Sequence, residues 1–109
     1  MRALQLVEDR RLEAVDLPPP PPPGVGEVTV RIRAVALNHI DVWGWRGMAF
    51  AKRKMPLVIG AEASGEVEEI GPGVANLLPG QIVSIYGART CGRCRACREG
   101  RDNLCAHVS

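Results

Sequence analysis

The chain has 109 residues, 46% of them hydrophobic and 24% charged, with a formal net charge of +2. This length suits one domain with a modest core, and this composition is typical of globular material. Two tryptophans, one tyrosine and one phenylalanine are too few for a base-stacking platform, so we expect no nucleic acid partner. The sequence shows neither a signal peptide nor a membrane span, which predicts a cytoplasmic protein without a membrane partner.

The first half of the chain predicts strands around a rigid connector. Two short strands are expected at 2–7 and 11–17, joined by a tight polar turn. Six consecutive prolines at 18–23 lack N–H donors and fix φ at about −65°, which predicts a polyproline II connector outside the sheet. A ligand for an SH3 or WW domain is the alternative for this segment. Residues 27–37 alternate apolar and polar side chains, which predicts a strand with one buried face.

A short helix of about two turns is predicted after this strand, with Asn38 as its N-cap and with Gly44 and Gly47 ending it. The next residues, 48–56, are expected to form a loop.

The second half predicts more strands and many turns. Strand-like runs at 57–60 and 64–70 are expected to be joined through residues 60–63. Turns are expected at 71–73 and 78–81, and a further strand at 82–86. Because strands and turns dominate, the fold class is mainly β and barrel-like rather than alternating β and α.

The last segment, 87–109, is predicted to be an irregular lobe holding every cysteine of the chain. The four cysteines, Cys91, Cys94, Cys97 and Cys105, have the spacing C-x2-C-x2-C-x7-C. Such spacing lets thiolates converge on one ion, and Zn²⁺ suits four thiolates. Four protein ligands leave no position for water or substrate, so the predicted site is structural. Five arginines are expected to offset the negative charge and to donate to the sulfurs: Arg89, Arg93, Arg95, Arg98 and Arg101.

Alternatives to a structural zinc stay open for these cysteines. An iron–sulfur cluster also uses C-x2-C-x2-C, but the bacterial ferredoxin run continues with x3-C-P, and here Ala106 follows the last cysteine. A zinc module that binds nucleic acid would explain why arginines surround the cysteines, although no aromatic residues are interleaved among them. Four unligated core cysteines would be unusual in so polar a segment.

Three segments resemble the medium-chain dehydrogenase/reductase family of zinc-containing alcohol dehydrogenases and quinone oxidoreductases. Residues 60–83 read GAEASGEVEEIGPGVANLLPGQIV and resemble the family segment GHEASGVVEEVGPGV…PGDRV. Residues 91–105, CGRCRACREGRDNLC, resemble the family's structural zinc lobe, and residues 36–43, ALNHIDVW, resemble the segment after its long strand. The match is collinear along residues 1–109.

This resemblance implies a GroES-like domain over residues 1–109, with an incomplete barrel, a short helix and a zinc lobe at about 88–107. In the family this domain precedes a Rossmann domain that binds NAD(P), and hydride transfer acts on a small molecule in the cleft between them. No G-x-G-x-x-G loop occurs in this chain, so NAD(P) is expected only through a Rossmann domain that is not part of it. We therefore expect the chain to bind one structural zinc and to be inactive by itself.

The resemblance also implies a missing catalytic metal. Zinc-catalytic members carry a cysteine at the position of Asn38 and a histidine at the position of Ala61. The hydroxyl residue that relays a proton in alcohol dehydrogenases corresponds to Ile40. Since alanine has no donor atom and an amide is a poor substitute for thiolate, we expect no catalytic zinc. This favours the zinc-free quinone or enone reductase style, in which the hydride of the cofactor does the chemistry.

Four residues are candidates for the cleft: Asn38, His39, Asp41 and Glu62. None is assigned confidently as catalytic, and His39 is the candidate for cofactor contact. The alternative for His39 and Asp41 is a pair at a helix start, where the positive end of the helix favours the carboxylate. Glu62 is expected on a turn between strands, either in the cleft or paired with an arginine. Trp43 and Trp45 are interpreted as core packing.

Two functional hypotheses follow from these observations. In the first, the chain is the N-terminal domain of an NAD(P)-dependent oxidoreductase, and strands that complete the barrel in relatives lie beyond residue 109. Unpaired strand edges would then favour self-association. In the second, the chain is a stand-alone zinc-stabilised binding or assembly module. The coding region downstream of residue 109 discriminates between them.

Overall fold

A computed structural model of the chain describes residues 1–48 and 53–109. Its helices and strands, in chain order, are β1 (Arg2–Glu8), β2 (Arg11–Asp16), β3 (Val28–Ala36), α1 (His39–Trp45), β4 (Leu57–Val58), β5 (Glu62–Ile70), β6 (Ile82–Ile85) and α2 (Arg95–Arg98), with a 3₁₀ turn at Asp102–Leu104. The six strands within these described residues form two three-stranded sheets, ordered β2-β1-β4 and β3-β5-β6. The predicted fold class, mainly β with an incomplete barrel, is confirmed.

The first sheet is built on the N-terminal hairpin. β1 and β2 pair antiparallel, and a tight turn places Arg10 at a φ of 66°. The register shifts between Leu6 and Glu8, and such a bulge is common beside a hairpin turn with one residue at positive φ. Leu6 is only 1% exposed and forms the buried centre of this sheet. The strands predicted at 2–7 and 11–17 are confirmed to within one residue.

β5 is the central strand of the second sheet and pairs antiparallel with β3 and β6. At Gly65 the backbone of β3 approaches so closely that an added Cβ would stand 2.3 Å from the Arg31 carbonyl oxygen. A glycine within a strand is therefore required here by close backbone approach. Val67, 1% exposed, is the buried side chain of this sheet. The strand predicted at 82–86 is present and ends one residue earlier.

Two predicted strand boundaries were wrong. β4 ends at Val58, two residues before the predicted end. β5 begins at Glu62, so Glu62 and Ala63 belong to the strand and not to the join before it. The reason is the pairing of Glu62 with Ala36, which carries the β3–β5 ladder to the end of β3.

The end of β3 is more exposed than predicted. Val28–Val30 are half-buried, whereas every residue from Arg31 to Ala36 is exposed, including Ile32 at 46% and Val35 at 55%. The prediction of one buried face is therefore wrong for this part of the strand. Within the described residues only β5 packs extensively against β3, so no second layer covers these apolar side chains.

The predicted helix forms, with one change at its end. Asn38 is the N-cap in extended conformation, and its backbone N–H donates to the Asp41 carboxylate over 2.9 Å. Gly44 lies inside α1 and does not end it, because its φ stays outside the left-handed region that ends helices. The Arg53 guanidinium donates to the Gly44 carbonyl oxygen in this last turn. Gly47 follows the C-cap at a φ of 83°, the usual place for a helix-ending glycine.

The proline segment connects the two sheets and lies outside both, as predicted. At its start Met1 and Leu17 exchange two hydrogen bonds of 2.7 and 2.8 Å. At its end the Gly26 N–H donates to the Pro72 carbonyl oxygen over 2.8 Å. The connector is thus anchored to folded backbone on both sides.

The remaining connections agree with the sequence where the structure describes them. The turns expected at 71–73 and 78–81 are present, and residues 53–56 of the predicted loop have neither helix nor strand. Residues 49–52 of that loop lie outside the described residues. No helix in residues 1–48 and 53–109 has the length and apolar character needed to span a bilayer.

Candidate metal centre and cavity

The four cysteine side chains converge on one point. Their Sγ atoms all lie within 4.8 Å of one another. The loop before α2, α2 itself and the 3₁₀ turn supply them in order: Cys91, Cys94 as the N-cap of α2, Cys97 within it, and Cys105 as the cap of the 3₁₀ turn. Cys105 is buried and the other three are half-buried. The lobe predicted to be irregular therefore contains two short helical turns, which bring the sulfurs together.

Backbone N–H groups surround these sulfurs. The Cys94 N–H donates to the Cys91 Sγ over 3.3 Å, and the Cys91 and His107 N–H groups donate to the Cys105 Sγ over 3.4 and 3.3 Å. Donors of this kind stabilise thiolate, the form that binds metal.

The arginines of the lobe were expected to offset the charge of the cluster and to donate to the sulfurs. Of these residues, Arg93 donates to the Cys91 sulfur through its backbone N–H. Arg95 and Arg101 instead pair with Glu99, over 2.8 Å for the Arg95 Nε. The two ion pairs lower the pKa of the Glu99 carboxyl group. The main chain supplies the sulfur donors because the tight turns at the cysteines already direct N–H groups inward.

The pKa values of the thiols move in opposite directions. The N–H groups of Cys97 and Ala106 lower the pKa of the Cys94 thiol to about 6. Burial, and then the hydrogen bond with Cys94, raises the pKa of the Cys97 thiol to about 12. The Arg93 N–H lowers the pKa of the Cys91 thiol. Since metal ligands must be deprotonated, binding at this cluster would release protons.

The arrangement fits a tetrahedral zinc ion. Zn–S bonds of about 2.3 Å place sulfurs about 3.8 Å apart in a tetrahedron. The observed separations, up to 4.8 Å, need only a small inward movement of the sulfurs. Four thiolates would complete the coordination, so the cluster could hold a zinc ion without exposing it to a substrate.

The cleft candidates lie around the start of α1, and three of them are linked. The Asn38 side-chain amide donates to the Glu62 carboxylate. The two Asp41 oxygens accept the N–H of Asn38 over 2.9 Å and the N–H of Gly60 over 3.0 Å. Glu62 is therefore not on a turn, and its partner is an amide rather than an arginine. Gly60 has a φ of 106°, a conformation that favours glycine.

His39 occupies the first position of α1 and is exposed. Its ring centroid stands 6.2 Å from that of Trp43, with the ring planes inclined at 44°. Such a tilted aromatic pair stabilises the helix start modestly. Within the described residues no hydrogen bond joins the His39 side chain to Asn38, Asp41 or Glu62.

A cavity of about 400 Å³, which we call the α1 cavity, opens between α1, β1 and residues 57–61. Its described lining is Leu6, Ile40, Asp41, Trp43, Gly44, Met48, Arg53, Leu57, Val58, Ile59, Gly60, Ala61 and Ser109. Trp43 is 42% exposed and forms part of this wall, so its interpretation as core packing was wrong. Trp45 is half-buried and lines a second cavity of about 220 Å³.

Sequence reasoning missed Arg53. Its guanidinium donates to the Gly44 carbonyl oxygen over 2.6 Å and to the Asp9 carboxylate over 3.2 Å, and its side chain is only 20% exposed. These contacts hold the last turn of α1 against the β1–β2 turn. No local pattern could reveal them, because Asp9 lies 44 positions earlier in the chain.

Residues 24–109 match the family model described as the alcohol dehydrogenase GroES-like domain. The chain belongs to this family. An L-threonine 3-dehydrogenase of Sinorhizobium medicae is 40% identical over 92 residues, which are 83% of this chain and 27% of that protein. An NAD-dependent alcohol dehydrogenase of known structure is 46% identical, with a TM-score of 0.88 over all of this chain and 32% of the other. A cobalt- and zinc-bound thermostable alcohol dehydrogenase from Pyrobaculum aerophilum is 35% identical, with a TM-score of 0.86 over 97% of this chain and 32% of the other.

The family membership confirms the resemblance seen in the sequence. The chain spans a little over a quarter of the length of the curated relatives it matches. In this alcohol dehydrogenase-type domain, Ile40 and Ala61 both line the α1 cavity. These are two of the positions at which the resemblance implies a proton-relaying hydroxyl and a zinc-binding histidine.

Proposed function

We propose that residues 1–109 form the N-terminal GroES-like domain of an NAD(P)-dependent oxidoreductase of the alcohol dehydrogenase or quinone oxidoreductase type. The observation that carries the proposal is the convergence of the four cysteine sulfurs in a chain of this family. Cys91, Cys94, Cys97 and Cys105 would hold one structural zinc in a lobe at about 88–107. A Rossmann domain outside these residues would bind NAD(P), which supplies or accepts the hydride when bound.

The lobe and the cavity have separate roles in this proposal. Zinc in a closed four-thiolate site stabilises the fold and takes no part in catalysis. The α1 cavity would receive the substrate, with Ile40 and Ala61 in its wall. Asp41 would fix the helix start and the Gly60 turn that shape this wall, since its two oxygens accept hydrogen bonds from both.

We further propose that no catalytic zinc binds near Asn38. The side chain at this position uses its amide to hold Glu62, and the neighbouring Ala61 offers no ligand atom. His39 remains the candidate for contact with the cofactor, because it is exposed at the start of α1. Substrate binding and orientation would then depend on the cavity wall rather than on a Lewis acid.

Metal content tests both parts of the proposal. Zinc and iron per chain are measured by inductively coupled plasma mass spectrometry after desalting. We expect one zinc and no iron. Several irons would contradict the zinc lobe and favour an electron-transfer module. Two zincs would contradict the absence of a catalytic metal and restore the zinc alcohol dehydrogenase mechanism.

We also propose that residues 1–109 alone are inactive and act in the cytoplasm only as part of the larger enzyme. Purified chain is incubated with NADPH and a quinone or an aldehyde, and the nicotinamide absorbance is followed. No turnover is expected, because the chain contains no G-x-G-x-x-G loop of the kind that binds the pyrophosphate of a dinucleotide. Measurable turnover would contradict this part of the proposal.

Self-association of the isolated chain is a further part of the proposal. Only Leu6, Val67 and Cys105 are buried hydrophobic residues in the described structure, while Ile82 on the edge strand β6 is 76% exposed and Tyr86, just after this strand, is 61% exposed. Apolar side chains beside an open strand edge favour pairing with another chain. Light scattering at micromolar concentration should give a mass above that of one chain, and a monomeric mass would contradict this expectation.

A further inference from the structure

We propose that the proline segment, residues 18–23, is a docking site for a protein domain whose groove is lined by tryptophan and tyrosine side chains. The proposal concerns an interaction surface and does not depend on the proposed oxidoreductase function. Connections between strands tolerate many residue types, so joining the two sheets does not by itself require six consecutive prolines.

The conformation of the proline segment follows from its sequence. Its peptide bonds are trans, and each proline ring fixes φ at about −65°. Residues 17–22 all precede a proline, which restricts their ψ to extended values of about +120° to +160°. The segment is therefore a polyproline II helix of about two turns, roughly 19 Å long at about 3.1 Å per residue.

The proline segment presents apolar rings to solvent. Residues 18–22 are exposed, and Pro23 is half-buried. One turn of a polyproline II helix takes three residues, so prolines three positions apart lie along the same edge. Such pairs occur in every register of the segment: Pro18 with Pro21, Pro19 with Pro22, and Pro20 with Pro23. Whichever edge faces a partner therefore offers it two rings.

The backbone of the proline segment offers acceptors and no donors. Proline has no N–H group, and within the described residues no hydrogen bond is made to the carbonyl oxygens of residues 18–23. Residues 17–26 also carry no charged side chain. A partner must therefore bring apolar faces to the rings and N–H or O–H groups to the carbonyl oxygens. Tryptophan and tyrosine each supply both from one side chain, and aromatic-lined grooves bind polyproline II ligands in this way.

Hydrogen bonds on both sides hold the proline segment in its binding conformation before a partner arrives. Met1 and Leu17 exchange hydrogen bonds of 2.7 and 2.8 Å before it. After it, the Gly26 N–H donates to the Pro72 carbonyl oxygen over 2.8 Å. A ligand that is already fixed in its bound form loses little conformational entropy on binding. The folded chain should therefore bind an aromatic-lined groove without first ordering this segment.

Titration of the full chain into polyproline-binding domains tests the proposal. A WW domain, an SH3 domain and an EVH1 domain are each labelled with ¹⁵N, and the indole N–H signals of their groove tryptophans are followed by NMR. We expect saturable shifts of these signals in at least one domain, with a Kd below about 1 mM. No saturable shift in any of the three domains would overturn the docking proposal and leave the oxidoreductase proposal as it stands.

A pair of variants tests whether the proline segment is the bound surface. Changing Pro19, Pro20 and Pro21 together to alanine removes one ring from every pair, whereas Pro79→Ala removes an exposed proline from a turn outside the segment. The substituted positions are all exposed, so both variants should fold, which far-UV circular dichroism checks. The triple variant should weaken binding at least about tenfold, and Pro79→Ala should leave the Kd unchanged. Unweakened binding by the triple variant, or equal weakening by both, would overturn the proposal.

Discussion

The cysteine lobe and the start of α1 are two regions of one family domain that differ in the metal-ligating side chains they bring together. In the lobe, four sulfurs lie within 4.8 Å of one another and accept backbone N–H groups. At the start of α1, the positions at which the resemblance implies a cysteine and a histidine carry Asn38 and Ala61, and the Asn38 side-chain amide donates to Glu62. The lobe brings four cysteine sulfurs to one point, whereas the polar groups at the start of α1 form hydrogen bonds with one another.

Under the proposed function, this difference would be a case in which a domain lacks one metal site of its family and keeps another. A tetrahedral site needs all of its ligands at once, so replacing one thiolate and one imidazole removes the site. The backbone around α1 does not depend on metal, because the N–H groups of Asn38 and Gly60 are satisfied by Asp41. Within the described residues, no buried polar side-chain atom lacks a hydrogen-bond partner, so the groups present there do not destabilise the fold.

The largest expected effect comes from Cys105→Ser. Cys105 is the buried ligand candidate of the cluster and accepts two backbone N–H groups. Its removal should abolish zinc retention and unfold the lobe, because the binding free energy of a structural zinc is folding free energy, about 10–16 kcal/mol in zinc-finger peptides. Zinc content and thermal unfolding measure the effect. Ala106→Ser, an exposed neighbour, is the control and should retain one zinc; full zinc retention by Cys105→Ser would contradict a four-cysteine site.

The reverse experiment adds metal ligands at the start of α1, so that this region would bind metal as the cysteine lobe is proposed to do. The double variant Asn38→Cys with Ala61→His should bind a second zinc or cobalt ion, because with Glu62 it supplies three protein ligands at the end of the β3–β5 ladder. Metal per chain and the visible spectrum of bound cobalt measure the gain.

Each single variant is the control for this restoration. Asn38→Cys alone and Ala61→His alone each lack one ligand and should bind no more metal than the unchanged chain. A second ion in either single variant, or none in the double variant, would show that metal binding near α1 is controlled by something other than these two positions.

A moderate effect is expected from Asp41→Asn, which acts on the hydrogen bonds that fix the start of α1 and the Gly60 turn. One of the two backbone N–H groups would face an amide N–H₂ and lose its acceptor, at a cost of about 1–3 kcal/mol. Thermal unfolding should shift downward while zinc content stays unchanged. Glu69→Gln, an exposed acid-to-amide change on β5, is the control and should have little effect. Zinc loss in Asp41→Asn would mean that the two regions are coupled.

The sequence allows the lobe to be predicted more completely than the α1 region, for a physical reason. Cysteine spacing confines the ligands to short turns, so local geometry alone brings the sulfurs together. The start and end of α1 could also be predicted at Asn38 and Gly47, since capping is local. The pairing of Asn38 with Glu62 spans 24 positions and depends on the register of β3 and β5.

The predictions that were wrong or missing also concern contacts between distant parts of the chain. Alternation in residues 27–37 indicates a strand correctly, but its buried face depends on a second layer that the described chain does not place there. The role of Arg53 depends on Asp9 and Gly44, which only the tertiary fold brings to it. Patterns within a few residues can be predicted from sequence, whereas contacts between sheets and helix ends cannot.

The smallest expected effect comes from the proline connector between the two sheets. Variants there should change the stability of the fold without changing zinc binding at the lobe. Pro20 and Pro21 are exposed and lie between anchors at Leu17 and Gly26, so their main contribution is to restrict the unfolded chain. Replacing each with glycine should lower the free energy of unfolding by about 0.4–1 kcal/mol, measured by urea denaturation. The variant with alanine at both positions should have a free energy of unfolding between those of the proline and glycine forms. Zinc content should be the same in all three proteins. If glycine left the unfolding free energy unchanged, the connector would not be held rigid between its anchors; if zinc content fell, the lobe would depend on the spacing of the two sheets.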